Sequence, residues 1–148
     1  VALPCPGGKL TAPASSFAAL ADRADYVLVE ADGSRGLPLK AHAPHEPVIP
    51  AESGRIILVL GASGFGRPIR EAAHRPERYA ALAGCDIETA VTPEIAARVI
   101  RAEGLGDLVL VNQAETPEAR ERARKLAEYL ALPVYAGSLQ RGEIECVS

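Results

Sequence analysis

The sequence predicts an α/β fold, a mostly parallel sheet flanked by helices, in a single domain over residues 1–148. Three observations predict it. Short apolar runs recur at 26–29, 56–60, 108–111 and 133–136. Between the later runs stand two helix starts of the same wording, Thr92-Pro93-Glu94 and Thr116-Pro117-Glu118, each a cap, an N1 proline and a first-turn acid. Glycines at 84 and 104 follow helical patterns as stops. Apolar strands alternating with helices mean a parallel sheet.

The elements follow in order. Ser15 or Ser16 caps a short helix running to about Asp22, with Phe17 and Leu20 on its buried side. Val27 to Glu30 reads as a strand, Ala31 to Arg55 as mostly loop, and Ile56 to Leu60 as a second, fully apolar strand. Residues 61–75 form a glycine-rich connection, and Pro76 to Ala83 a short helix. The helix opening at Thr92 runs to about Ala102. Leu108 to Val111 is a third buried strand. The helix opening at Thr116 runs to Leu130 with Ala119, Ala123, Leu126, Ala127 and Leu130 on one stripe. Pro133 to Ala136 is a fourth strand, and Ile144 to Val147 a fifth or a tail.

Composition excludes several classes. A net charge of −3 leaves no electrostatic footprint for nucleic acid or anionic membrane. No apolar run reaches the roughly 20 residues needed to span a bilayer. Cys5, Cys85 and Cys146 show neither a disulfide framework nor a CxxC knuckle, which points to a reducing cytoplasm. The chain has no methionine, so residues preceding Val1 are expected.

The richest stretch is Asp25 to Pro50. A strand-like run turns at once into Glu30, Asp32, Gly33, Ser34, Arg35 and Gly36. Parallel strands place ligand-handling groups at their carboxyl ends. Carboxylates there can hold magnesium, and glycines let backbone approach phosphate. Asp32-Gly33 is equally a good turn dipeptide. Pro38, Pro44, Pro47, Pro50, His42 and His45 follow without helical or strand periodicity, and long irregular loops in compact domains tend to be functional or disordered.

Other motifs are weaker. Gly7-Gly8-Lys9-Leu10-Thr11 departs from GxxxxGK[ST] at Leu3 and Leu10. Gly61 to Gly66 is out of register for GxGxxG and GxSxG, and reads as a βα loop or a switch-like loop. His42-Ala43-Pro44-His45-Glu46 has metal-ligand types, but Pro44 forbids zincin-like helical spacing. His74-Arg75 is a solvated loop or an anion contact. Asn112-Gln113-Ala114-Glu115 sits where GTP-binding proteins place Asn-Lys-x-Asp, with Gln for Lys and Glu for Asp. Gly137-Ser138-Leu139 sits where they place a second base-contacting loop.

EADGSRGLPLK, then HEPVIP, a strand with a glycine-rich loop, HRPE and a TPE helix start resemble the YqeC-type selenium-dependent hydroxylase accessory proteins. The resemblance runs along the chain and is most specific from Glu30 to Pro50. It implies a P-loop NTPase-like fold and a role in maturing selenium-dependent molybdenum hydroxylases, by helping to make or insert a selenium-containing cofactor. Members carry a glycine-rich, lysine-containing phosphate loop near the N-terminus, which this sequence lacks. The resemblance therefore implies a missing first strand and phosphate loop, with residues 1–148 the C-terminal part of a longer domain. NTP hydrolysis then needs a loop supplied upstream or by another chain.

The resemblance also implies roles. Glu30-x-x-Gly33 is similar to the Glu-x-x-Gly motif of metallochaperone-type GTPases. Glu30 and Asp32 are then the catalytic carboxylates and contact Mg2+. Gly33 faces the γ-phosphate of a nucleoside triphosphate. Ser34, Arg35, Lys40 and His45 bind phosphate or an anionic cofactor, and Asn112 and Glu115 face the base. The expected partners are the nucleotide and a selenium-dependent molybdenum hydroxylase or its cofactor, with no nucleic acid and no membrane. Two rival readings remain: a non-hydrolysing module holding a pterin-type cofactor or a hydroxylase through Arg35 to Pro50, and a selenium or sulfur carrier using one of the cysteines. The missing strand leaves a sheet edge beside Val27 to Glu30, expected to be filled by upstream residues or another chain.

Overall fold

The computed structural model describes residues 3–5, 9–11 and 13–148, with side chains described at Thr11 and from residue 13 onward. The elements are β1 (Leu3–Cys5), β2 (Lys9–Thr11), α1 (Phe17–Ala21), β3 (Leu39–Lys40), β4 (Ile57–Gly61), a 3-10 turn (Ala62–Gly64), α2 (Ile69–Ala72), β5 (Ala73–His74), α3 (Pro76–Ala83), α4 (Pro93–Glu103), β6 (Leu108–Asn112), α5 (Pro117–Glu128), β7 (Val134–Ser138) and β8 (Glu143–Cys146).

The main sheet has the order β4-β6-β7-β8. Its first three strands are parallel, with Ile57 opposite Leu108 and Leu110 opposite Tyr135. The apolar run near the C-terminus forms β8, antiparallel on the outer edge of β7. Capping produced the helices where expected. The hydroxyls of Thr92 and Thr116 accept hydrogen bonds from the amides of Ile95 and Ala119, both at 3.2 Å. Gly84 and Gly104 end α3 and α4 at φ 68° and 62°, a conformation that glycine adopts without a Cβ penalty.

The core lies on one face of the sheet. Leu60, Val109, Val111, Val134 and Ala136 pack with Ala97 and Ile100 of α4 and Ala123 and Leu126 of α5. Right-handed crossovers put α4 and α5 on the same face, because β4, β6 and β7 follow one another in a single direction across the sheet. No helix among the described residues is long and apolar enough to cross a membrane.

Four expectations are corrected. Val27 to Glu30 is not a strand: the run is irregular, with Tyr26 88% and Leu28 92% exposed. A strand exists by pairing, and no described residue pairs with this run, so its apolar content alone does not order it. The β4 strand is apolar but not enclosed, since Ile57 and Val59 stay half-exposed on the face opposite α4 and α5. Helix α1 buries none of its residues fully, so Phe17 and Leu20 are only half-covered. The 61–75 connection is more ordered than expected, holding the 3-10 turn, α2 and β5. Of the motif at 7–11, residues 7 and 8 lie outside the described residues, as does the side chain of Cys5. Cys85 and Cys146 are free thiols.

Candidate functional site

The irregular 31–50 stretch is anchored at its middle. β3 pairs in parallel with β5, setting Lys40 beside His74. Just before it, the Pro38 carbonyl accepts a 2.8 Å hydrogen bond from the Gly61 amide at the carboxyl end of β4. Only glycines fit below this crossing. A Cβ on Gly61 would lie 2.8 Å from Pro38 Cβ, and one on Gly64 would lie 2.7 Å from Leu39 Cγ. Loop 31–40 is thereby held at the carboxyl end of the parallel sheet, where α/β folds place ligands.

Lys40 is the hub of a charge cluster. Its side chain is 8% exposed, and its ammonium pairs with both Asp32 and Glu46. It also donates to the Gly33 carbonyl at 2.9 Å. Arg75 grips Glu46 with two hydrogen bonds, 3.0 and 2.6 Å long. These two cations hold the Glu46 carboxyl far below its ordinary value, at about 2, with the Arg75 hydrogen bond the larger cause.

His42 ties the cluster to α4. Its Nδ1 lies 2.8 Å from Glu103 Oε2 and its Nε2 lies 3.1 Å from Asp32 Oδ2. A neutral imidazole can donate to only one of two carboxylates, so full satisfaction of both requires two ring protons. The His42 amide also donates to Glu103 Oε1 at 2.6 Å, and its carbonyl accepts from Arg78. Behind it, His74 Nδ1 is buried with no hydrogen-bond partner among the described residues. Burial first, then Arg75, depresses the His74 pKa and favours the neutral ring.

A second group forms at the carboxyl ends of β4, β6 and β7. Asn112 Oδ1 accepts from the Leu139 amide at 3.0 Å, bracing the loop after β7. Ser63 donates to Gln113 Oε1 at 3.1 Å. A hydrogen bond to Ser138 is the main reason that the Glu115 pKa is lowered. The Gln113 side chain also approaches Gly61, so it meets the Pro38 crossing that leads to Lys40. The non-glycine residues with left-handed backbone among those described are Arg35, Arg75 and Gln113, at φ 55°, 63° and 62°. All three lie in these loops, and such strain clusters at functional sites.

The sequence-predicted residues thus fall into two neighbouring groups and some outliers. Asp32, Gly33 and Lys40 come together, and Asn112 and Glu115 come together. Glu30 is exposed, and so is the side chain of His45, 3.5 Å from Glu46 Oε1. Ser34 and Arg35 form an outer turn in which the Ser34 carbonyl accepts from the Leu37 amide. Sequence reasoning did not reach Glu103, which sits 61 residues from His42 with no local pattern to mark it. It met Glu46 and Arg75 only as members of short polar tracts. Among the described residues, no three of His, Cys, Asp and Glu are arranged to hold a metal ion. Magnesium that arrives with a nucleotide uses one or two carboxylates and the phosphates, so such a cage is not required of it.

The family model described as YqeC protein matches residues 1–77. That span contains the loop from Glu30 to Pro50, and residues 78–148 lie beyond it. A curated relative in Escherichia coli (strain K12), described as the uncharacterized protein YqeC, is 46% identical over 61 residues, covering 40% of this chain and 24% of the relative. No solved structure matches the chain.

Proposed function

This chain belongs to the YqeC family, and on that premise we propose that it serves the maturation of selenium-dependent molybdenum hydroxylases, using a magnesium-bound nucleotide. The observation that carries the reading is the docking of the Asp32–Lys40 loop at the carboxyl end of β4, next to the Gln113 side chain. A nucleotide lying across these ends would meet Asp32 and Lys40 at its phosphates. Asn112 and Glu115 would face its base. Asp32 would contact the magnesium once its carboxylate exchanged Lys40 for the metal, and the released ammonium is a natural phosphate donor. Glu46 and Arg75 hold Lys40 in place for that exchange.

The second reading is a non-hydrolysing module that holds an anionic, pterin-type cofactor or a hydroxylase surface. One observation favours it: Asp32, Glu46, Lys40 and Arg75 already pair with one another, which is a stable end state without any metal. The aligned part spans only a quarter of the Escherichia coli relative, so the activity of the whole protein belongs to the proposal under either reading.

Calorimetric titration with GTP and ATP, each with magnesium, separates the two. Nucleotide binding that weakens at least tenfold in Asp32→Ala supports the first reading. Absence of binding by the chain and by the longer Escherichia coli relative would overturn it in favour of the second.

A further inference from the structure

One polar atom beside the Lys40 cluster is left over. His74 Nδ1 is buried and has no hydrogen-bond partner among the described residues. Buried polar atoms in native proteins are nearly always paired, and one left unpaired costs stability. The register fixes where it stands. Lys40 and His74 are partners across β3 and β5, and the residues before them, Leu39 and Ala73, both belong to the core cluster. By the two-residue period Lys40 and His74 project together on the side away from that core. The His74 ring is thus the cross-strand neighbour of the side chain that gathers Asp32 and Glu46.

The donors nearest to it are committed elsewhere. Lys40 pairs with Asp32 and Glu46 and donates to the Gly33 carbonyl, and Arg75 donates to Glu46 and to the Ala41 carbonyl. Arg75, Lys40 and Arg35 all lie near enough to disfavour a charged imidazole, and Glu46 opposes them. Three cations therefore stand against the carboxylates of Asp32 and Glu46, which leaves one positive charge in excess around a neutral ring. A phosphate-type oxyanion answers both features: it offsets the excess charge and offers an acceptor to Nδ1–H. We propose that His74 is a binding residue for such an oxyanion, donating from Nδ1 to the group that Lys40 receives. This rests on the reading that the Lys40 cluster takes an anionic ligand.

The contact belongs to the liganded state. While Lys40 stays paired with Asp32 and Glu46, His74 Nδ1 is closed to solvent. The exchange that moves the Lys40 ammonium from Asp32 to a phosphate shifts the side chain opposite His74 across the β3–β5 pair. Binding then satisfies a nitrogen that the free chain leaves unpaired, so no protein partner has to be given up for the new hydrogen bond. The other two histidines do not fit this role. Both ring nitrogens of His42 already face carboxylates, those of Glu103 and Asp32, and the His45 side chain is 77% exposed.

Nitrogen-15 NMR of the histidine rings, together with calorimetry, tests the contact with inorganic pyrophosphate and, separately, with GTP and magnesium. The chain has three histidines, so the His74 ring can be assigned in the native protein. Pyrophosphate is expected to shift the His74 Nδ1 resonance in step with occupancy. His74→Ala is expected to weaken binding roughly tenfold, the effect of losing a hydrogen bond to a charged group. His74→Asn, whose side-chain amide N–H stands where Nδ1–H does, is expected to stay within about threefold of the native chain. The resonance of the native chain decides if a variant does not fold. Binding of GTP with that resonance unmoved and His74→Ala at native affinity would overturn the contact and leave the nucleotide reading standing. A shift with pyrophosphate without any binding of GTP would uphold the contact and remove the nucleotide reading. Binding of neither probe would overturn the contact and the nucleotide reading together.

Discussion

Glu103, the last residue of α4, closes on His42 in two places: its Oε2 lies 2.8 Å from the ring Nδ1 and its Oε1 accepts from the backbone amide at 2.6 Å. This contact fastens the middle of a loop without regular structure to a rigid helix. It also turns the other ring nitrogen toward Asp32. Replacing Glu103 by Ala leaves a buried amide and a ring nitrogen without acceptors, at a cost of about 1–3 kcal/mol. Glu103→Gln keeps one acceptor and should lose clearly less. Urea unfolding of the two variants checks this, and equal losses would show that the acceptor kept by Gln contributes nothing.

Glu46 gives the cluster a definite response to acid. Its carboxyl has an ordinary value of 4.5 and titrates at about 2 in the folded chain, first because of Arg75 and then Lys40. A folded pKa below the unfolded one means that the stabilisation is present above about pH 4.5 and is lost as pH falls toward 2. The stability difference between the native chain and Glu46→Gln should therefore be constant near neutrality and shrink between these two values. Thermal unfolding from pH 7 down to pH 2.5 measures it, and a difference that stays constant over that range would refute the pairing.

Much of this architecture was legible in the sequence, and the exceptions have a common cause. Thr92-Pro93-Glu94, Thr116-Pro117-Glu118, Gly84 and Gly104 act on their own backbone, so the helices they bound stand where local chemistry puts them. Val27–Glu30 carries the same kind of local signal but needs a neighbouring strand, and that requirement is invisible to propensity. The site divides the same way. Asp32, Gly33 and Lys40 are eight residues apart at most and fall within one polar tract. Glu103 joins them through tertiary packing alone, and a glutamate in the last turn of a helix has no pattern that announces a buried partner.

Gly64 tests whether the crossing of Pro38 and Leu39 positions Lys40. A methyl group at Gly64 would sit 2.7 Å from Leu39 Cγ, and Leu39 is fully buried. Overpacking of this kind costs about 1–3 kcal/mol and would push β3 away from the sheet end. Gly84→Ala is the control: a methyl group there would meet nothing within 4 Å, so only the strain of φ 68° applies. That strain is worth about 1 kcal/mol. Under the nucleotide reading, Gly64→Ala should also alter nucleotide affinity, whereas Gly84→Ala should alter stability alone. Unfolding curves and calorimetry on both variants decide.

The groups at the carboxyl ends of β6 and β7 make separable predictions under the nucleotide reading. Asn112 accepts from the Leu139 amide, so Asn112→Ala frees the loop after β7 and should cost about 1 kcal/mol of stability whether or not a ligand binds. Glu115 is exposed, and its main link is to Ser138. Its removal should leave stability within about 0.5 kcal/mol of the native chain. If its carboxylate accepts two guanine N–H groups, Glu115→Ala should lower affinity for GTP by at least tenfold and leave ATP unaffected, because adenine offers no such pair of donors. Parallel titrations with the two nucleotides measure the ratio. An equal loss for both would place Glu115 outside the base site, and a loss for neither would remove these loops from the binding surface altogether.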